Sequence, residues 1–238
     1  MVISLPGSTF LIYFVAAVLP AAVLMWYIYQ RDKVEKEPAG LLVRCMIGGV
    51  FAALLAVVLE EIGGVILNSL VSIENPFYVI VLAFLVVAAA EEFAKYLFMK
   101  RTTWNREEFD YRFDGIVYSV FVSLGFAAFE NVSYVMGYGL SVAPARAVLS
   151  IPAHMGFAVF MGAFYGRARM YTNQEDSQSA KVSIRLGLGS AIFLHGFYDA
   201  CALSGSSFAA MLFLAFVVFL DIVMLRLIKK EADTDERI

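Results

Sequence analysis

Seven apolar runs of membrane-spanning length constrain this chain before any single residue is considered. They cover approximately Thr9–Gln30, Leu41–Leu67, Pro76–Met99, Asp114–Met136, Ala145–Gly166, Ile184–Leu203 and Ser206–Ile228. A helix rising 1.5 Å per residue needs about 20 apolar residues to cross a hydrocarbon core. None of the runs alternates with a period of two, which excludes the strands of a membrane barrel. Composition agrees: 61% of the 238 residues are hydrophobic and 16% are charged. A soluble domain carries roughly a quarter charged residues, and one of this composition would turn large apolar patches to water. An ordinary soluble domain, a disordered chain and a coiled coil are thereby excluded. The expectation is an all-α, polytopic transmembrane bundle of about seven spans, one integral membrane domain over residues 1–238, enclosing a polar cavity.

Loop charges orient that bundle. Arg31, Lys33, Lys36 and Arg44 follow span one or open span two, and Lys100, Arg101, Arg106 and Arg112 follow span three. Arg167, Arg169, Lys181 and Arg185 follow span five, and Arg226, Lys229, Lys230 and Arg237 lie at the C-terminal end. The other side has only Arg146, and Lys95 lies inside a span. The positive-inside rule then puts the C-terminus in the cytoplasm and the N-terminus outside, in a multi-pass protein of the cytoplasmic membrane. Basic residues follow the first run and none precede it, and no small-residue cleavage site lies between, so it reads as a retained span. The net charge of −3 gives no footprint for nucleic acid. Cys45 and Cys201 sit in apolar stretches and read as small buried hydrophobes.

Ionisable residues inside the spans are the functional signal. Spans three to six hold Glu91, Glu92, Lys95, Glu130 and Asp199, and both histidines of the chain, His154 and His195. Five such charges facing lipid would cost on the order of 15 kcal/mol on insertion scales, so they must face the bundle interior, water or one another. Helical spacing groups them. Glu91 and Glu92 stand four and three residues before Lys95, Glu130 four before Tyr134, and His195 four before Asp199. The last pair lets a carboxylate fix the imidazole tautomer. Measured from the cytoplasmic span ends, Glu92 lies about 12 Å deep, His195 about 16 Å and His154 about 20 Å. Asp199 follows at about 22 Å and Glu130 at about 24 Å, in the outer half of the same cavity. Ala158, Gly162 and Gly166, with Gly187, Gly189 and Ser190 on span six, predict close helix packing.

Two adjacent acids in low dielectric suit general acid–base work, because they do not both ionise cheaply. The ionised one takes a proton from water, the water attacks a carbonyl, and a histidine positions the water or donates to the oxyanion. Neither serine nor cysteine sits in a nucleophile motif, so amide hydrolysis by activated water is the expected reaction. Two histidines with Glu and Asp are also zinc-ligand types. There is no His-Glu-x-x-His helix, however, and each histidine has a carboxylate partner, so the expected cofactor is none, with zinc the alternative. A transporter or proton channel lining a relay with the same residues is the competing function, although no inverted repeat supports it. A non-catalytic binding protein on the same fold is a third. Glu60 and Glu61, beside Gly63 and Gly64, read as solvated helix-end acids, Tyr134 as an interfacial aromatic anchor, and Asp221 as a cavity-facing structural acid. The Asn131-Val-Ser pattern lies within a span and is not a glycosylation site.

Glu91-Glu92-Phe-Ala-Lys95, Phe129-Glu130-Asn-Val-Ser-Tyr134, His154 after a proline and His195-Gly-Phe-Tyr-Asp199 together resemble the ordered motifs of the PrsW family of intramembrane proteases. The charged stretch from Arg31 to Pro38 is similar too, and the likeness runs from about residue 11 to 228. That family is related to the CAAX prenyl endopeptidases and their bacteriocin-self-immunity relatives. The resemblance implies glutamate-dependent hydrolysis of a single-span membrane protein, such as a membrane-anchored anti-sigma factor. Glu91 and Glu92 would supply the base, His154 and His195 would assist, and Asp199 would support the last histidine. Ala158 stands where some relatives are expected to carry glycine, a small-for-small exchange. Which glutamate is the base, the side of substrate entry and the oligomeric state stay open at this level.

Overall fold

The computed structural model describes residues 7–238, and their seven helical runs go back and forth between two end faces. They are α1 (Gly7–Arg31), α2 (Ala39–Leu70), α3 (residues 78–103), α4 (Asp114–Tyr138), α5 (Leu140–Asn173), α6 (Ser177–Leu203) and α7 (Ser207–Asp233). All except α3 are long and apolar enough to cross a membrane. Run α3 carries Glu91, Glu92 and Lys95 and is interrupted by a π-helical stretch at Leu82–Ala88, between α-helical Tyr78–Val81 and Ala89–Thr103. It crosses the bundle all the same. Lys33 beyond α1 pairs with Asp233 at the end of α7 (3.1 Å), and Arg112, between α3 and α4, pairs with Glu231 (3.3 Å). Arg167 near the end of α5 joins the same Glu231 (2.9 Å). The basic loops thus share one face, as their charges predict.

Helices overrun the apolar runs that announce them. Run α5 extends from Leu140 to Asn173 rather than Ala145–Gly166, and α6 begins at Ser177 rather than Ile184. The extra turns carry polar residues, so hydropathy alone ends too early. Local signals set the turns. Gly139 takes φ 88° between α4 and α5, where a side chain would be strained. Asp176 caps α6 by accepting the Ser179 N–H at 3.0 Å, and Ser206 caps α7 by accepting the Ala209 N–H at 3.1 Å.

Helix α4 is the central post. It packs on α1, α2 and α5, while α6 packs on α5 and α3, and α7 closes over α5 and α6. Most of α4 is buried, whereas α1, α2 and α7 turn Phe10, Val58, Val65, Phe208, Leu214 and Phe219 outward, toward lipid. Small residues let these helices meet backbone to backbone. A Cβ on Gly162 would stand 2.5 Å from the Gly115 carbonyl oxygen and the Ile116 Cα, and one on Gly49 would strike the Val122 carbonyl oxygen. Gly162, Gly166 and Gly187 therefore have the packing role their spacing predicts; Gly189 does not, since nothing approaches within 4 Å of it.

The basic face also buries acids. Asp32 and Glu37, between α1 and α2, are 1% and 5% exposed. Glu37 accepts the Tyr118 hydroxyl at 2.7 Å, and Lys36 donates to the main-chain carbonyls of Tyr29 and Asp32 rather than to a carboxylate. Burial pushes the Glu37 carboxyl up to about 7 and that of Asp32 up to about 6. The folded state then keeps protons that the unfolded chain releases above its ordinary value of 4.5.

The seams and the buried acids set four outcomes for detergent-solubilised protein. Gly162→Val lowers the unfolding free energy by at least about 2 kcal/mol. Gly64→Ala, with nothing within 4 Å of the new methyl, is neutral or stabilising by up to about 1 kcal/mol. Stability falls as pH rises from about 4.5 to about 7, because over that window the unfolded state binds fewer protons. Glu37→Gln flattens that slope in a pH series of thermal melts; an unchanged slope would remove Glu37 from the account.

Candidate active site

Four consecutive helices, α3 to α6, supply the ionisable residues, and α3 sets their focus. One turn after its π-helical stretch, Glu91, Glu92 and Lys95 point into the bundle, 6%, 1% and 2% exposed. A π turn inserts a residue into the helical repeat and rotates everything after it relative to what came before. The Lys95 Nζ lies 3.0 Å from Glu91 Oε2 and 2.8 Å from Glu92 Oε1. Its third neighbour is the Nδ1 of His154 on α5, at 3.2 Å. An ammonium has three protons and no acceptor, and here three acceptors surround it. Beneath them lies the face of Phe126, with Nζ 4.0 Å from the ring centroid.

Donor logic fixes one tautomer. Lys95 can only donate, so His154 Nδ1 accepts and the ring proton sits on Nε2. That nitrogen donates to Glu130 Oε2 on α4 at 3.1 Å. Arg146 grips the same carboxylate at 3.0 Å, donates to Asn131 Oδ1 at 2.8 Å, and stacks its guanidinium 3.9 Å over the Tyr134 ring. Asn131 in turn donates to the Ala17 carbonyl of α1 at 2.7 Å. Arg146 opens a second π-helical stretch, Arg146–Ser150, shortly before His154. On α6, His195 places Nδ1 2.9 Å from Glu92 Oε1 and Nε2 3.3 Å from Asp199 Oδ2, the contact its spacing predicts. Its Nε2 is also 3.9 Å from Glu91 Oε2, and its ring stacks on Phe157 with centroids 4.8 Å apart.

A cavity of about 380 Å³ opens beside this set. Glu91, His154, His195 and Asp199 line it together with Glu60, Glu130, Tyr134 and Arg146. Glu92 and Lys95 are absent from the lining, so of the paired acids only Glu91 faces the space. Tyr134, Arg146, Ala202 and Leu203 lie toward the helix ends joined by the short loops, placing the cavity in the half of the bundle away from the basic face.

All seven ionisable residues singled out within spans three to six, Glu91, Glu92, Lys95, Glu130, His154, His195 and Asp199, thus join one network. Tyr134 is a cavity wall under Arg146 as well as a surface aromatic. Three readings need correction. Glu60 is not a solvated helix-end acid but lines the cavity; only Glu61 is exposed. Asp221 does not line it; its Oδ1 is buried without a hydrogen-bond partner among the described residues. Arg146, taken only as a loop charge, holds Glu130. Its solitary position on the charge-poor side was the signal available for it.

Glu91, Glu92 and His154 also present ligand-type atoms within 4.8 Å of one another. Glutamate and histidine are the right kinds of donor for zinc. As arranged, however, they converge on an ammonium, and the position that a shared metal ion would take is filled by Lys95 Nζ.

A polytopic helical bundle with acids and imidazoles gathered on an internal cavity defines a multi-pass membrane protein with a polar site inside its helices. Comparison with known proteins narrows the class. A family model described as PrsW family intramembrane metalloprotease matches residues 37–225. Protease PrsW of Oceanobacillus iheyensis is 33% identical over 215 residues, covering 90% of this chain and 94% of that protein. Protease PrsW of Bacillus subtilis is 32% identical over 222 residues (90% and 93%), and that of Clostridioides difficile 29% over 211 (87% and 86%). No solved structure matches the chain. The chain belongs to the PrsW family of intramembrane proteases.

Removing the guanidinium that holds Glu130 tests the outer part of the network. Arg146→Ala lowers the unfolding free energy by about 1–3 kcal/mol, and Arg146→Lys recovers only part, having the charge without the fork. Denaturant or thermal titration in detergent reads both; wild-type stability in Arg146→Ala would show the contacts to be idle.

Proposed function

We propose that this protein is an endopeptidase that cleaves a peptide bond of a single-span membrane protein, using water activated by Glu91. The observation that carries the reading is the asymmetry of the paired acids: Glu91 borders the cavity, whereas Glu92 is enclosed by Lys95 and His195. A base must reach the water it deprotonates, and Glu91 has that access. Glu92 is instead a positioning residue, tying α3 to α6.

The step balances within the chain's own groups. Glu91 takes one proton from water, and the oxygen adds to the scissile carbonyl carbon. His195 keeps Nδ1 on Glu92, which holds its ring, while Nε2, in the longer 3.3 Å contact with Asp199, turns its N–H from that carboxylate to the oxyanion as it forms. The proton returns from Glu91 to the departing nitrogen as the C–N bond breaks, leaving a carboxylic acid and an amine. His154 has both ring nitrogens engaged, by Lys95 and Glu130, and serves to align Lys95 and the cavity wall. No step needs a metal ion.

The basic face is assigned to the cytoplasm, with the N-terminus outside, so the cavity meets its substrate from the outer half of the cytoplasmic membrane. A membrane-tethered regulatory protein such as an anti-sigma factor supplies a suitable segment, and 1–238 acts as one protease domain. Glu60, Glu91, Glu130, Arg146 and Asp199 line the cavity beside the apolar Val87, Phe157 and Leu203, and that many charged groups suit an unwound, hydrated stretch of substrate better than an intact apolar helix.

Purified protein in detergent with a fluorogenic single-span peptide tests this. Glu91→Gln lowers kcat at least about 100-fold with folding intact. His195→Ala falls by a similar factor, and Glu92→Gln loses both activity and thermal stability. Full cleavage by Glu91→Gln would overturn the assignment of the base. Proton flux in liposomes without any cleavage would favour the transporter instead.

A further inference from the structure

The family description carries a metal, and this chain has the donors for one, yet their focus is taken. Lys95 Nζ sits 3.0, 2.8 and 3.2 Å from Glu91, Glu92 and His154. Zinc holds such donors at about 2.0–2.2 Å, so ion and ammonium cannot share the position. Nor has the ammonium an evident way out: its side chain is 2% exposed and its head rests on the Phe126 ring. The surroundings are otherwise those of a metal centre. His154 presents one nitrogen to the cation while Glu130 holds the other, the way a carboxylate orients a metal-bound histidine.

We infer that Lys95 is the resident cation of this site, standing where a divalent metal would sit, and that the Glu91, Glu92 and His154 donors take up such a metal only when the ammonium is removed. The inference deepens the reading of Glu91 as a metal-free base. It assigns Lys95 two tasks: neutralising Glu92 and the near oxygen of Glu91, and excluding metals from the water-activating carboxylate. Among the described residues the other Glu91 oxygen accepts no hydrogen bond, as a base that binds water from the cavity requires.

The test is metal content and spectrum rather than turnover. Full-length wild type, Lys95→Ala, Lys95→Met and the double variant Lys95→Ala/Glu91→Gln are purified in detergent, stripped with chelator and titrated with Co²⁺ and Zn²⁺. Wild type is expected to retain less than about a tenth of an equivalent after desalting. Lys95→Ala is expected to retain about one, with visible Co²⁺ absorption, and to bind at least about 100-fold more tightly than wild type. The double variant loses that site. Because Lys95→Ala leaves two carboxylates unbalanced, folding is followed by thermal melts, and wild type alone decides if the variants fail. A wild-type melt unmoved by Zn²⁺ or chelator supports the inference. One tightly held equivalent in wild type, lost in Glu91→Gln, overturns it. Peptide cleavage by the same wild-type sample separates the two readings. Metal-loaded and active ends this inference and leaves proteolysis standing; metal-free and inactive does the reverse.

Discussion

The ammonium of Lys95, with a carboxylate on either side and an imidazole on the third, is the contact on which the rest of this protein depends. Inside a hydrocarbon-thick bundle none of these groups is stable alone. Joined, they satisfy one another, and removing one member of such a buried set costs about 3–5 kcal/mol. The set also ties helices together. Glu91, Glu92 and Lys95 come from α3, His154 from α5 and, through Glu92, His195 from α6. Through His154 and Glu130 the same network reaches α4, and through Arg146 and Asn131 it reaches α1.

Such convergence requires helices closer than ordinary side chains allow. The Gly115–Gly162–Gly166 seam draws α5 onto α4, and Gly49 with Gly125 draws α2 onto α4. Two π-helical stretches, each shortly before a site residue, set the rotation of Glu91 and His154. At the opposite end the basic face is tied by charge. Residues near the C-terminal end fold back along the loop between α3 and α4, with the Ile238 N–H donating to the Asp110 carbonyl at 2.7 Å. One end of the bundle is thereby latched, and the cavity belongs to the other.

Much of this was legible in the sequence, for a physical reason. A charge in an apolar run is so costly that its position alone marks it, which singled out Glu91, Glu92, Lys95, Glu130, His154, His195 and Asp199. Helical spacing gave the His195–Asp199 pair and the contacts of Lys95 with both glutamates. Contacts between helices were less accessible. Depth estimates put Glu130 only in the outer part of the cavity, whereas it touches His154, because a π turn and a proline alter the register of α5 and rise per residue carries no rotation. Glu60 was misread since its distance from the helix end suggested solvent; what it faces depends on how α2 lies against α3 and α4. Arg146 was counted among loop charges because it stands only one residue inside its apolar run, where span and loop meet. That Glu91 rather than Glu92 meets the cavity needs the packing of α6, which adjacent positions in a sequence do not disclose.

The most direct measurement is an experimental density map of the full chain in lipid nanodiscs, at a resolution that places the side chains of α3, α5 and α6. The account predicts Lys95 Nζ within hydrogen-bonding distance of Glu91, Glu92 and His154, with His195 on Glu92 and only Glu91 open to the cavity. A Lys95 side chain turned away, with the two glutamates and the histidine apart or closed around a metal ion, would contradict it.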